Sequence, residues 1–156
     1  MNKEIQYIIS TLQDTLDGDP WYGRAMYSIL AEVEPACVFI NPDEKGHSLI
    51  ELLYHTVDWV QFVQSRLEEK PDQSAAYFDE MDWRDIDPAI HTWKNGMKEL
   101  KTAHQRVIEL LQNKDDSLLE GPVKDRTYNM RFLLYGLIQH NIYHLGQMAY
   151  VKKLLE

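Results

Sequence analysis

The sequence predicts an all-α protein built as a four-helix bundle, with an extra short helix after the first long one and long crossover connections. Four long segments carry apolar residues at alternating steps of three and four, the spacing that places them on one face of a helix. No convincing run of alternating Val, Ile and Thr is present, and no internal repeat is visible. The length favours a single domain over residues 1–156.

The first long helix is predicted from an apolar stripe that ends shortly before Gly18 and Pro20. The stripe consists of Ile5, Ile9, Leu12 and Leu16. A shorter helix is predicted next, from Trp21 to about Val33. Because glycine and proline together interrupt the helical pattern, the two segments are expected to be separate helices and not one continuous rod.

The second long helix has a clear predicted start, because Ser48 stands three residues before Glu51 in the pattern of a capping box. We expect this helix to end near Pro71. The third long helix is predicted to open at Asp87 and Pro88, an N-cap followed by the residue best suited to the first helical position.

The third helix is predicted to continue to Leu111, and the fourth to run from near Thr127 to the C-terminus. The fourth also carries Leu and Ile on its flanking faces, so we expect it to be the most buried helix. The connections at residues 34–47 and 70–86 show no helical period. Their lengths allow crossovers as well as hairpins.

Charge and composition exclude several classes of function. Sixteen Lys and Arg against 25 Asp and Glu give a net charge of -9, which disfavours nucleic acid or an anionic membrane surface as a partner. No stretch approaches the length of a transmembrane helix, and the N-terminal segment has charges where a signal peptide would be apolar. The single Cys37 cannot form an intrachain disulfide. A cytoplasmic protein is therefore expected.

The strongest candidate for chemistry is the pair His140 and His144. Two side chains four residues apart project from the same face of a helix, stacked for a shared ligand. The core stripe of this helix runs through Leu137 and Met148, so both imidazoles are expected to point into the bundle. His55 lies on an inward face of the second long helix. Three imidazoles from two helices can therefore converge on one site.

A divalent metal is one explanation of such a group. A buried imidazole has two ring nitrogens to satisfy, and a divalent ion satisfies one nitrogen on each of three rings at once. With only three protein ligands the ion would keep a position open for water or substrate, as catalytic sites do. The alternative is that each histidine is a core residue whose ring bonds a backbone carbonyl or a neighbouring side chain. The residues by themselves leave both interpretations open.

Neighbouring polar residues show weaker patterns. His47 precedes the second long helix and can either reach the open side of the site or cap the helix. Gln147 can donate or accept a hydrogen bond beside the histidine pair, and His104 is expected to be a satisfied core histidine. No Asp or Glu lies within one helical turn of His140 or His144, so no catalytic acid or base is identified.

Two segments resemble a known family. They are GHSLIELLYH at residues 46–55, followed by Trp59, and QHNIYHLGQM at residues 139–148. Together they are similar to the DinB/YfiT-like family of metal-dependent enzymes, and the likeness extends over nearly the whole chain. The resemblance implies a four-helix bundle with a connection order that is not simply up and down, and it implies a homodimer.

The resemblance also implies a ligand set and a cofactor. In that family, one histidine of the second core helix and two histidines of the last helix hold a divalent metal, and the matching positions here are His55, His140 and His144. The cofactor is then one divalent transition metal, with Zn or Ni expected in purified protein and Fe, Mn or Co also compatible.

Two hypotheses of function follow. The first is a metal-dependent enzyme, a hydrolase or a thiol S-transferase, that activates a water or a low-molecular-weight thiol against a small-molecule substrate. The second is a non-catalytic helical bundle that binds metal for stability or sensing, or that mediates protein contacts. The sequence lacks the usual motifs of nucleotide binding, serine hydrolysis and zincin chemistry.

Overall fold

The computed structural model describes residues 3–68 and 73–156 and contains no β-strand within them, which confirms the all-α prediction. In these two described ranges, four long and two short α-helices follow one another. They are α1 (Lys3–Asp17), α2 (Met26–Leu30), α3 (Leu49–Leu67), α4 (Ala75–Met81), α5 (Trp93–Gln112) and α6 (Met130–Leu155). Two 3₁₀ turns, Pro35–Cys37 and Asp116–Glu120, lie in the connections.

The four long helices form the bundle. Helix α3 packs against α5 and α6, and α1 packs against the same two helices from the other side. The successive long helices α1 and α3 therefore lie across the bundle from each other, as α5 and α6 also do. The connection between α1 and α3, which contains residues 34–47, therefore crosses the bundle as predicted, and the connection between α5 and α6 crosses it as well. The prediction of a crossover at residues 70–86 was wrong, because that connection joins α3 and α5, which are neighbours in the bundle. One continuous apolar cluster fills the space between the helices.

Helix α3 is the most buried helix, so the expectation for the last helix was wrong. Fifteen of the 19 residues of α3 are buried, whereas only ten of the 26 residues of α6 are. Helix α6 exposes a full face to solvent, on which Phe132, Tyr143 and Tyr150 are each about two-thirds exposed. Leu and Ile residues on the flanks of its core stripe, such as Leu134 and Ile138, are buried, but they do not extend to this exposed face.

The start of α3 confirms the predicted capping box. The backbone N–H of Glu51 donates to Oγ of Ser48 at 3.4 Å, and the backbone N–H of Ser48 donates to Oε2 of Glu51 at 2.7 Å. The helix ends at Leu67, while Pro71, near which the end was predicted, lies outside the described residues.

The predicted starts of the last two long helices were several residues too early. Asp87 does not cap a helix: its side chain accepts from the N–H of Ala89, and its carbonyl accepts from the N–H of His91, which closes a tight turn. Helix α5 begins only at Trp93, after the N-cap Thr92. Helix α6 likewise begins at Met130 and not near Thr127; its N-cap is Asn129, whose side chain accepts from the N–H of Phe132.

The connection at residues 70–86 contains a helix that the sequence pattern did not predict. This is α4, which Ser74 caps by accepting from the N–H of Tyr77. The short helix after α1 is present as predicted, although Met26–Leu30 is shorter than the expected span. Within residues 3–68 and 73–156, no helix is both long enough and apolar enough to cross a membrane.

Candidate metal centre

His55, His140 and His144 meet in the seam between α3 and α6. Nε2 of His55 lies 3.0 Å from Nε2 of His144 and 3.1 Å from Nε2 of His140. His55 and His144 are buried, with 6% and 5% of their surfaces exposed, and His140 is half-buried. The structure thus brings together the three histidines that the sequence singled out, as a group able to hold a metal ion.

The packing of the bundle explains this convergence. His140 and His144 lie one helical turn apart on α6, and their ring centroids are 4.3 Å from each other. His55 reaches them from α3, the helix that packs against this face of α6. Because these are long helices with a continuous apolar core, the three rings are held on a rigid scaffold.

The outer nitrogens of two of the rings face acceptors. Nδ1 of His144 lies 2.5 Å from Oε1 of Gln147, which can only accept, so this nitrogen carries the proton. Nδ1 of His55 lies 2.8 Å from Oδ1 of Asp82. That contact lies off the direction of a good hydrogen bond, so Nδ1 of His55 is without a well-aligned partner, as is Nδ1 of His140. The carboxylate still favours a proton on the Nδ1 that faces it.

This proton arrangement leaves an unfavourable contact at the centre of the group. With protons on Nδ1, the Nε2 atoms of His55 and His144 both present lone pairs, and these face each other at 3.0 Å. Nε2 of His140 is directed at the same point. A shared cation satisfies all three lone pairs at once. Nitrogens about 2.1 Å from one ion are about 3.0 Å apart at a right angle, so the observed separations fit one ion.

Burial keeps these imidazoles neutral. It lowers the pKa of His55 and of His140 to about 3, with a smaller contribution from the neighbouring imidazoles of the group. Burial also lowers the pKa of His144, while its hydrogen bond to Gln147 opposes that change. Neutral imidazole is the form that binds a metal, so the site is ready for an ion at neutral pH.

Asp82 is the site residue that sequence reasoning missed. It is the residue after α4, and its Oδ1 both approaches His55 and accepts from the indole N–H of Trp59 at 3.1 Å. A carboxylate behind a ligating histidine fixes the tautomer and orientation of the ring. Asp82 reaches the site from a connection and not from one of the four long helices.

Trp83, the next residue, covers the ring of His55. The two rings stack with centroids 3.8 Å apart and an interplanar angle of 9°. On its other face, Trp83 stacks on His47 at the same distance and 11°. The backbone of Trp83 has φ 53°, in the left-handed region that a bulky side chain rarely adopts. His47 therefore contacts the site through the ring of Trp83.

An ion pair with a buried carboxylate anchors this connection to α3. Arg84 lies 2.9 Å from the carboxylate of Asp58, and its guanidinium lies over the ring of Tyr54. Burial raises the pKa of Asp58 to about 7, an effect that Arg84 opposes. The pair holds the backbone beside Asp82 and Trp83 against the bundle.

His104 is a core histidine, as the sequence predicted. Its ring is 1% exposed, and the Asn141 amide donates to its Nε2 at 2.9 Å. Its Nδ1 therefore carries the proton and faces the hydroxyl of Tyr27 at 3.1 Å. Both nitrogens have partners within the protein, so His104 needs no metal.

Fold and site together define an all-α protein with a candidate three-histidine metal centre. The family model of the DinB superfamily matches residues 23–148, which is more than half of the chain. The protein belongs to the DinB superfamily. This agrees with the resemblance drawn from the two histidine-bearing segments. The comparison with curated proteins gave no match.

Proposed function

We propose that this protein is a divalent-metal-dependent enzyme that activates a water or a low-molecular-weight thiol against a small-molecule substrate. The observation that supports it best is the 3.0 Å approach of two Nε2 atoms whose rings both face acceptors through Nδ1. Such an approach is unfavourable without a cation between the nitrogens. A cation held by three protein ligands keeps a position for a reactant.

The residues have separate roles in this proposal. His55, His140 and His144 hold the ion, which when bound lowers the pKa of a water or thiol in its open position. Gln147 and Asp82 orient two of the rings from behind. They are positioning residues.

Three imidazoles accept several metals, so the resident ion follows availability as much as structure. We expect Zn or Ni in purified protein, and Fe, Mn and Co are compatible with the same ligands. Both a hydrolase and a thiol S-transferase fit this donor set, because either reaction needs only an activated nucleophile beside a small electrophile.

Activity assays on metal-loaded protein test the proposal. Conjugation of glutathione or cysteine with monochlorobimane reports thiol transfer, and release of nitrophenol from p-nitrophenyl acetate reports hydrolysis. We expect one of the two to depend on the metal and to be lost in His144→Ala. The control His91→Ala removes a histidine from the turn before α5 and should keep the activity. Metal-loaded wild type that turns over neither substrate class, and no related thiol or ester, would contradict the proposal.

Chelation separates an enzyme from a bundle that needs its ion to fold. The apolar cluster spans all four long helices without using the histidine group, so the metal-free chain should keep its helical circular dichroism. A chain that unfolds on chelation at room temperature would favour the structural role. The homodimer remains a prediction of the resemblance, and light scattering on the purified chain tests it.

A further inference from the structure

An apolar groove lies between α3 and α6 beside the candidate metal centre. It has a volume of about 150 Å³, and its walls include Trp59 and Phe62 from α3 and Phe132, Gly136 and His140 from α6. None of its lining residues is Lys, Arg, Asp or Glu. A charged group placed there would lose hydration and would meet no charged residue in the lining, whereas an apolar group would be removed from water.

Two residues connect the groove to the metal centre. His140 belongs to both, since its ring lines the groove and its Nε2 points at His55. Trp59 forms a wall of the groove, lies edge-on to the ring of His140 at 6.3 Å between centroids, and donates its indole N–H to Asp82. A molecule that reaches the metal from this side therefore has its other end against these aromatic rings.

Gly136 lines the groove and leaves space beside it. A Cβ built at this position would meet nothing within 4 Å, so a larger side chain would project into free space among the groove walls. Glycine inside a helix costs about 1 kcal/mol relative to alanine. Helix α6 carries this cost at a position that lines the groove.

We propose that the groove binds the non-reacting part of the substrate and that this part is an uncharged apolar group the size of a single aromatic ring. The inference rests on the proposed function for the reacting end, which the metal would hold next to His140. An apolar cavity of about 150 Å³ is large enough to take up benzene, so one ring matches the available volume. Gly136 is then a specificity-determining residue.

Fluorobenzene tests the groove without any metal-binding group. Its binding to the chain as purified is followed by ¹⁹F NMR for wild type, Gly136→Leu and Gly146→Leu. Gly146 is the matched control, because it also lies on α6, a Cβ there meets nothing within 4 Å, and it does not line the groove. We expect wild type and Gly146→Leu to bind the probe in the same way, and Gly136→Leu to lose it.

Two hydroxamates test the link to the metal. Benzohydroxamate and acetohydroxamate share the metal-binding group and differ in the ring, and calorimetry on zinc-loaded protein gives both affinities. We expect benzohydroxamate to bind about tenfold more tightly than acetohydroxamate in wild type and in Gly146→Leu. In Gly136→Leu this preference should vanish, while the affinity for acetohydroxamate stays the same.

The outcomes separate the two proposals. If neither hydroxamate binds, the proposal of a metal site with an open position is wrong. The fluorobenzene experiment then still tests whether the groove binds an apolar ring. The proposal for the groove is wrong if fluorobenzene does not bind wild type, or if it binds Gly136→Leu as well as it binds wild type. A second copy of the chain is the other possible occupant of the groove, and light scattering tests for it. If wild type is a dimer and Gly136→Leu is a monomer, a second copy fills the groove and the inference is wrong.

Discussion

Oδ1 of Asp82 lies 2.8 Å from Nδ1 of His55, although one residue follows α4 and the other lies in the middle of α3. We predict that Asp82→Asn weakens zinc binding by about 10- to 100-fold, because His55 loses the carboxylate that favours a proton on its Nδ1 and so leaves Nε2 free for the metal. Competition with a chromophoric zinc chelator measures the affinity.

Asp85→Asn is the matched control for this variant. It makes the same change of charge on an exposed residue in the same connection, three positions further along the chain. Equal losses of zinc affinity in the two variants would show that Asp82 acts only through its negative charge and not through its contact with His55.

Gln147 has a corresponding role behind His144, since its Oε1 accepts from Nδ1 of that ring. We predict that Gln147→Leu lowers zinc affinity about tenfold and that Gln147→Glu keeps it, because a carboxylate still accepts from Nδ1. The same chelator competition measures both variants. Similar affinities for Gln147→Leu and wild type would contradict the assigned orientation of the ring.

Trp83 covers one face of the site, so its removal should speed the release of the metal. In Trp83→Gly the loss of stacking, about 0.5–1.5 kcal/mol per ring pair, is partly offset by relief of the left-handed backbone, about 1–2 kcal/mol. We therefore expect little change in the free energy of unfolding but faster transfer of zinc to excess EDTA. Trp21→Gly, which removes a fully exposed ring, should leave the rate unchanged. Equal rates for Trp83→Gly and wild type would contradict the covering role.

His104 should make the fold sensitive to acid. Burial lowers its pKa from 6.5 to about 4, so between these values the unfolded chain binds a proton that the folded chain does not. The free energy of unfolding therefore falls as pH decreases from about 6.5 and levels off below about 4, by up to about 3 kcal/mol in total. Urea unfolding of metal-free wild type and His104→Gln at pH 7.5 to 4 isolates this contribution. If the free energies of unfolding of wild type and His104→Gln change with pH in parallel over this range, the predicted contribution of His104 is wrong.

The bundle and its three histidines could be predicted because they follow from helical periodicity. His140 and His144 stand four residues apart within an apolar stripe, and His55 lies on an inward face of α3, so their convergence needs only that the two helices pack together. The capping box of Ser48 is a local signal of the same kind.

The other residues of the site lie in a connection where apolar residues show no helical spacing. Asp82 and Trp83 reach His55 from a connection whose path depends on α4, on the Arg84–Asp58 pair and on a left-handed backbone at Trp83. None of these leaves a pattern along the chain.

The start of α5 was misplaced for a related reason. An aspartate before a proline can cap a helix or close a turn with the same hydrogen bonds, and here Asp87 closes a turn. The helix is capped by Thr92 instead, whose hydroxyl accepts from the N–H of Asn95, and the buried Trp93 is its first residue.

Metal content tests the central claim most directly. Plasma mass spectrometry on protein purified without a His tag should find about one divalent ion per chain in wild type, and little in His55→Ala or His144→Ala. His104→Gln should keep the ion, because that ring is satisfied within the core. A wild type that holds no metal even after incubation with Zn, Ni or Mn, or variants that keep as much as wild type, would contradict the three-histidine centre and the enzyme built on it.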